Sequence, residues 1–209
     1  MNILIFGATG GIGKYVVKHA KENGYQVTVY VRNAKKISDS TIKIVQGELN
    51  NYEKIRVSLQ NQDAVIWAVG IPMRRNYKEM ISLNGHKTLL KAISSTGVKR
   101  LIDWGNPSIQ SKKDVKSFLT VIPGIVASIL FNKAKQEMIA ISELLEKSDI
   151  DWTIVRFMAP KNTKYTGHVK VSFGERKIKW NISGEDIAAF MVCQAAEKNY
   201  IKSMPIIGS

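Results

Sequence analysis

The residues with the clearest chemistry lie in the stretch Gly7-Ala8-Thr9-Gly10-Gly11-Ile12-Gly13, which directly follows the apolar run Ile3-Leu4-Ile5-Phe6. It opens Lys14-Tyr15-Val16-Val17-Lys18-His19-Ala20-Lys21, whose apolar positions recur at helical spacing. A strand, a glycine turn and a helix in that order form a cradle for a nucleotide pyrophosphate. Glycines let the backbone turn sharply and meet the phosphates without a Cβ in the way. The helix start then offers unpaired N–H groups and a partial positive charge to the anion. A tight turn without a ligand would need one glycine, not several in register.

A second position refines the ligand. The strand Gln26-Val27-Thr28-Val29-Tyr30-Val31 ends at Arg32, followed by Asn33, Lys35 and Lys36. An acidic residue there would bond a ribose 2′-hydroxyl and favour NAD. A guanidinium instead suits a 2′-phosphate, to which its fork donates paired, charge-assisted hydrogen bonds. The residues therefore point to NADP(H) over NAD(H).

The elements that must hold these groups alternate between strand and helix, which implies a doubly wound, mainly parallel sheet. Asn23-Gly24 reads as the stop of the first helix. A third strand fits Thr41 to Gln46, ahead of Gly47-Glu48-Leu49, and a short helix over 51–60 is capped by Asn50 or Asn51. Asp63 to Gly70 reads as a buried fourth strand, Tyr77 to Thr96 as a long helix, and Val98 to Gly105 as a fifth strand. Asn106 to Gly124, with Pro107 and Pro123 as breakers, is the least regular part and the expected lid or substrate loop. A helix is expected from Ile125 or Ser128 to Lys147, then a sixth strand over 152–156. His168–Phe173 and Lys177–Trp180 alternate around Gly174, suggesting a hairpin. Ser183 and Asp186 form a cap for a last helix, and Ile206-Ile207 is a candidate to close the sheet.

Composition fits one domain over residues 1–209, with a substrate-side portion from about 157. The chain has 209 residues, 44% hydrophobic and 23% charged, ordinary for a globular protein. Cys193 is the single cysteine, so no intramolecular disulfide can form; a reduced thiol on an apolar helix face is expected. The first residues are too short an apolar run for a signal peptide, and no run approaches a membrane span, so a cytoplasmic location without membrane contact is expected. The formal charge of +14 raises nucleic-acid binding. However, the lysines are dispersed, and the clusters Lys35-Lys36, Arg74-Arg75 and Lys112-Lys113 with Lys116 carry no interleaved aromatics. A basic surface, or a field that draws anionic ligands to the cleft, fits better than specific nucleic-acid recognition. His19, His86 and His168 are scattered and give no metal-ligand spacing.

The order of motifs resembles the atypical short-chain dehydrogenase/reductase superfamily, and within it the NmrA-like NAD(P)H-binding group that includes biliverdin-IXβ reductase, a flavin reductase. The resemblance covers nearly the whole chain. It rests on Gly7 to Gly13, Val31-Arg32-Asn33, Gln62 to Ile66, Leu144 to Arg156 and Ile182 to Met191. It implies a single-domain α/β fold of the Rossmann type. It also implies that Gly7, Thr9, Gly10, Gly11, Ile12 and Gly13 surround the pyrophosphate and that Arg32 with Lys36 holds the 2′-phosphate. Glu48-Leu49 would lie near the adenine, Ala68-Val69-Gly70 along the diphosphate and ribose, and Phe157-Met158-Ala159 by the nicotinamide.

The departures from this pattern bear on mechanism. Many short-chain reductases use Tyr-x-x-x-Lys, the phenol giving a proton to the carbonyl oxygen. The nearest spacing here is Phe131-Asn132-Lys133-Ala134-Lys135, and Phe has no proton to give. The serine usual after the fifth strand is absent and Asn106 stands in its place, an amide able to donate to a carbonyl or to the nicotinamide amide, which makes it a cofactor contact as well. Asn106 and Lys135 are thus the only catalytic candidates. Two readings follow. One is an NADPH-dependent reductase of a small acceptor such as a flavin or quinone, needing proximity more than an acid, with Arg74, Arg75 and Lys78 placed to attract a flavin phosphate. The other is a non-enzymatic NADP(H) sensor acting on a partner. Monomer and homodimer are both compatible with the sequence.

Overall fold

Along β1 (Asn2–Phe6), Ile3 and Ile5 face one side of a sheet and Leu4 and Phe6 the other, all four without exposed surface. A strand buried on both faces needs a helical layer on each side, and the chain provides both. The computed structural model describes residues 1–158 and 160–209. Its strands are β1, β2 (Gln26–Val31), β3 (Lys43–Gln46), β4 (Ala64–Trp67), β5 (Arg100–Gly105), β6 (Asp151–Arg156), β7 (Lys170–Ser172) and β8 (Ile206–Gly208). They form one sheet in the order β3-β2-β1-β4-β5-β6-β8-β7, parallel throughout except where β7 meets β8.

Ile3 and Ile5 pack beneath α1 (Gly13–Glu22) and α6 (Gly184–Ala196), through Val16, Ala20, Ile187 and Met191. Leu4 and Phe6 pack beneath α2 (Tyr52–Ser58), α3 (Ile81–Ile93) and α5 (Asn132–Glu146), through Ile55, Leu89, Met138 and Leu145. Burying one such aliphatic side chain is worth about 1.5–3 kcal/mol. The chain runs outward through β2 and β3 and then crosses back to β4, so the strand order reverses between β1 and β4. That reversal opens a crevice at the carboxyl ends of the strands.

Local chemistry sets the helix ends. Asn23 ends α1, its N–H bonding the His19 carbonyl at 3.0 Å, and Gly24 turns away at φ +73°. Of the two asparagines considered as the cap of α2, Asn51 serves, its side chain accepting the Lys54 N–H at 3.0 Å. Ser183 accepts the Asp186 N–H at 2.9 Å at the start of α6.

Five expectations need correction. The helix expected from Ile125 or Ser128 is two helices, α4 (Phe118–Leu130) and α5, meeting at Phe131. Pro123 lies inside α4 rather than before it. It lies in the second turn, where its missing N–H leaves the Leu119 carbonyl without its helical donor, while the Ser117 N–H, bonded to Thr120 Oγ1 at 3.0 Å, fixes the start upstream. The hairpin is not formed. The bend at Gly174 exists, at φ +104°, but β7 pairs antiparallel with β8, and Lys179 exchanges backbone hydrogen bonds with Ser209. Alternation identifies an extended segment without naming its partner. β8 therefore lies one strand in from the sheet edge. The long helix begins at Ile81 and leaves Tyr77 in the preceding loop. Cys193 sits on the exposed side of α6, not on an apolar face.

Candidate functional site

The crevice starts at the glycine turn after β1. Gly7 adopts φ +77°, and a Cβ there would come within 2.4 Å of the Ala68 carbonyl oxygen. A Cβ on Gly13 would come within 2.0 Å of the Gly7 oxygen. These two glycines let the first turn of α1 sit against the ends of β1 and β4. Gly11 differs: nothing lies within 4 Å of where its Cβ would be. The Gly10 N–H bonds back to the Gly7 oxygen at 2.9 Å, while the N–H groups of Gly11, Ile12 and Gly13 have no acceptor among the described residues. The first turn of α1 holds no acidic residue and no side-chain cap. Bare donors at a helix start beside an open glycine suit a phosphate group.

Arg32 and Lys36 follow β2 and are exposed, without an ion pair among the described residues. The Asn33 side chain accepts the Lys35 N–H at 3.0 Å and shapes the short 3-10 turn Ala34–Lys36. Thr9, Lys14, Lys36, Ser38 and Asp39 line a groove of about 700 Å³ between α1 and this segment. Two carboxylates line it: Glu22 of α1, 3.9 Å from Lys18 Nζ and 3.1 Å from His19 Nδ1, and Asp39, engaged by Lys21 and by the Thr41 hydroxyl and N–H, which hold its carboxyl far below the usual range. The basic groups of the groove thus face it without a free carboxylate from Asp39.

Glu48 and Leu49 follow β3 and lie above Tyr30. The Tyr30 hydroxyl donates to the Glu48 carbonyl at 2.9 Å and would be 2.2 Å from any Gly47 Cβ. Burial and the nearby Glu48 charge push the Tyr30 phenol up to about 12, so it stays a donor at neutral pH. Past β4, Ala68 and Val69 are half-buried and Gly70 is exposed with open space around it. The Trp104 indole N–H fixes the Val69 carbonyl at 2.8 Å.

At β5 and β6 some polar groups are committed and others are not. The Asn106 Oδ1 accepts the Ser108 N–H at 2.9 Å, leaving the Nδ2 hydrogens without an acceptor among the described residues. Phe157 is buried and its ring stacks on Trp104 at 5.8 Å; Met158 is half-buried, and Ala159 lies outside the described residues. The Phe157 ring therefore backs the crevice through Trp104. Lys135 points at α4, donating to the Gly124 carbonyl at 3.0 Å and to Ser128 Oγ at 2.7 Å. That engagement argues against a catalytic role for it. The residues assigned to the cofactor follow the carboxyl ends of β1 to β6, and Lys135 alone of the singled-out residues lies on a helix away from those ends.

Sequence reasoning missed three buried polar clusters. Arg156, fully buried at the end of β6, donates to the carbonyls of Met204 and Ile109 at 2.8 Å and to both Asp114 oxygens at 2.7 and 2.5 Å. It ties down the segment after β5, which was expected to be a lid. Glu137, also fully buried, accepts from the Tyr77 hydroxyl at 2.6 Å and the Leu83 N–H at 3.0 Å. Lys133 donates to the Tyr77 and Lys78 carbonyls beside it. His86 bonds the Ser82 carbonyl through Nδ1 at 2.7 Å and Asp103 Oδ2 through Nε2 at 2.9 Å. A carbonyl only accepts, so Nδ1 carries a proton. Burial on both faces of β5 and β6 and helical spacing in α3 and α5 place these side chains inside, but nothing in the sequence pairs them.

Comparison with known proteins decides what the glycine turn belongs to. A family model described as NAD(P)H-binding matches residues 7–198. The chain belongs to this NAD(P)H-binding family. The photosystem II assembly factor Ycf39 of Guillardia theta is 32% identical over 106 residues, 49% of this chain and 34% of its own. The chain spans about a third to a half of the length of the curated relatives it matches first. Among solved structures, the oxidoreductase ylbE of Lactococcus lactis superposes with a TM-score of 0.80 at 21% identity, covering 100% of this chain and 91% of its own. ChuY of Escherichia coli O157:H7, described as an anaerobillin reductase, gives 0.77 at 16%, covering 100% and 97%. These likenesses show a Rossmann-type α/β fold. The family's nicotinamide dinucleotide fits the residues present: an open Gly11, and, among the described residues, three N–H groups without acceptors and two cations after β2 without ion pairs.

Proposed function

We propose that this chain is an NADPH-dependent reductase of the atypical short-chain type, passing a hydride to a flavin, quinone or similar conjugated anionic acceptor. The observation that carries the reading is the contrast between a cofactor end with free donors and the absence of a phenolic acid on α5. At the position where that acid would stand, Phe131 joins α4 to α5, and the lysine four residues on is bonded to α4. Bound NADPH supplies the hydride from its nicotinamide C4. The chain supplies position: main-chain donors and the α1 terminus hold the pyrophosphate, Arg32 and Lys36 the 2′-phosphate, and Trp104 backed by Phe157 a flat wall beside the reacting ring. The Asn106 amide orients a carbonyl. A ring acceptor takes hydride on one atom and a solvent proton on another, so no fixed acid is required. A reductase among the structural relatives is in keeping with the reductase reading.

The test is NADPH oxidation followed by nicotinamide absorbance, with flavin mononucleotide and a soluble quinone as acceptors. Turnover above a protein-free control is expected with at least one of them. The second reading, an NADP(H) sensor of the NmrA-like kind, draws on the same missing phenol and on the curated relative named as an assembly factor. Clear NADPH binding with no turnover of flavins, quinones or aldehydes would favour it over the reductase.

A further inference from the structure

α4 is the anomaly of the surface. Its thirteen residues, Phe118–Leu130, contain no charged side chain, and only Leu119, Thr120, Pro123 and Ala127 are buried. The outward face is aliphatic and aromatic: Phe118 is 84% exposed and Ile129 69%, and Ile122 and Ile125 complete a stripe at helical spacing that Val126 and Leu130 widen. A surface helix ordinarily turns polar residues outward, and a contiguous apolar patch of this kind marks a contact site. The hydroxyl of Ser128, the one polar side chain exposed on α4, is already bonded to the Gly124 carbonyl at 2.8 Å and to Lys135.

Charge indicates what covers it. Lys112, Lys113 and Lys116 precede the helix, exposed and without ion pairs among the described residues. The acid among them, Asp114, is turned inward to Arg156. Glu143 and Glu146 lie on α5 along the opposite flank, lining a cavity of about 500 Å³ with Val121 and Ile125. The net charge of +14 and the three lysines before the stripe set like charge against like in a second copy, an opposition that Glu143 and Glu146 beside Ile125 offset only in part. The same arrangement complements an anionic lipid surface, where acyl chains accept the stripe and headgroups the lysines. A helix of this length rises about 20 Å, too short to cross a bilayer and suited to lying in its plane. Among the described residues no helix is long and apolar enough to cross a membrane.

We propose that α4 docks this protein on anionic membrane surfaces, Phe118, Ile122, Ile125 and Ile129 entering the headgroup–acyl boundary and Lys112, Lys113 and Lys116 binding lipid phosphates. The test is sedimentation of the full chain with phosphatidylcholine vesicles, with and without phosphatidylglycerol, at low and high salt. Binding is expected to anionic vesicles at low salt and to fall by about tenfold or more without the anionic lipid or in the Lys112→Ser, Lys113→Ser, Lys116→Ser variant. The Ile125→Asp, Ile129→Asp variant should lose binding at either salt while keeping the parent's melting temperature and NADPH affinity. Three results would each overturn the proposal: no partition to anionic vesicles, equal partition of the aspartate variant, or a dimer in sedimentation velocity that the aspartate variant dissolves. The last would make the face a self-association surface instead.

Discussion

Arg32 and Arg156 both stand at the carboxyl end of a strand, and they show opposite uses of the same side chain. Arg32, after β2, is exposed and makes no ion pair among the described residues. Arg156, at the end of β6, is fully buried and reaches two carbonyls and both oxygens of Asp114. The contrast extends to the surrounding strands. From β1 to β4 the crevice keeps donors free, at Gly11, Ile12, Gly13, Arg32 and Lys36. From β5 to β8 most polar groups are satisfied inside the protein, by Arg156–Asp114, His86–Asp103 and Tyr77–Glu137. One half is built to receive an anion and the other to hold a shape. Under the proposed reductase function, the choice of acceptor depends on what that shape admits rather than on a charged catalytic group.

The sharpest way to break the comparison is to remove a partner from each arginine. Asp114→Ala leaves a guanidinium buried and unpaired, and should cost about 3–5 kcal/mol in denaturant unfolding. Arg32→Ala should change stability by less than about 0.5 kcal/mol, as for other exposed positions without partners. Equal effects of the two changes would erase the distinction.

The glycines allow a finer test within the cofactor half. Gly7→Val forces a β-branched residue into φ +77° against the Ala68 carbonyl and should lower the melting temperature strongly. Gly11→Val meets open space, so the protein should melt near the parent temperature yet bind NADPH at least about tenfold more weakly, because the side chain stands where the phosphate approaches. A Gly11 variant that binds normally would move the pyrophosphate elsewhere.

The smallest effect concerns acid stability. Burial pushes the Asp186 carboxyl up, but hydrogen bonds from Ser183, Thr166 and Gly167 more than offset this and leave it below the ordinary carboxylate range. A depressed folded-state value stabilises the protein above the unfolded value of about 4 and is lost as pH falls through the folded one. Melting temperatures measured downward from pH 5 should therefore fall more steeply for the parent than for Asp186→Asn. Parallel curves would show that the carboxylate contributes nothing.

What the sequence disclosed follows the same division. The glycine turn and the arginine after β2 were readable because they depend on local backbone and spacing, and the parallel strands β1, β2, β4, β5 and β6 were readable because burial on both faces leaves apolar runs. Pro123 was misread as a breaker, since a helix start depends on a cap upstream of it. The partner of β7 was misread because β8 lies more than thirty residues on. Arg156, Glu137 and His86 were invisible as a class: each is polar in a sequence position that reads as core, and only folding reveals the group that satisfies it. The first half of α4, Phe118 to Gly124, was taken for part of a loop, and the expectation of no membrane contact rested on span length, which does not address a helix lying on a surface.

The central claim is that the free donors after β1 and the unpaired guanidinium after β2 bind the phosphorylated end of a reducing dinucleotide. Isothermal titration of the folded protein with NADPH and with NADH tests it most directly, repeated on Arg32→Glu. The account predicts tighter binding of NADPH by about tenfold or more, a preference that Arg32→Glu abolishes or reverses while the melting temperature holds. Equal affinity for the two dinucleotides, or no heat with either, would contradict it.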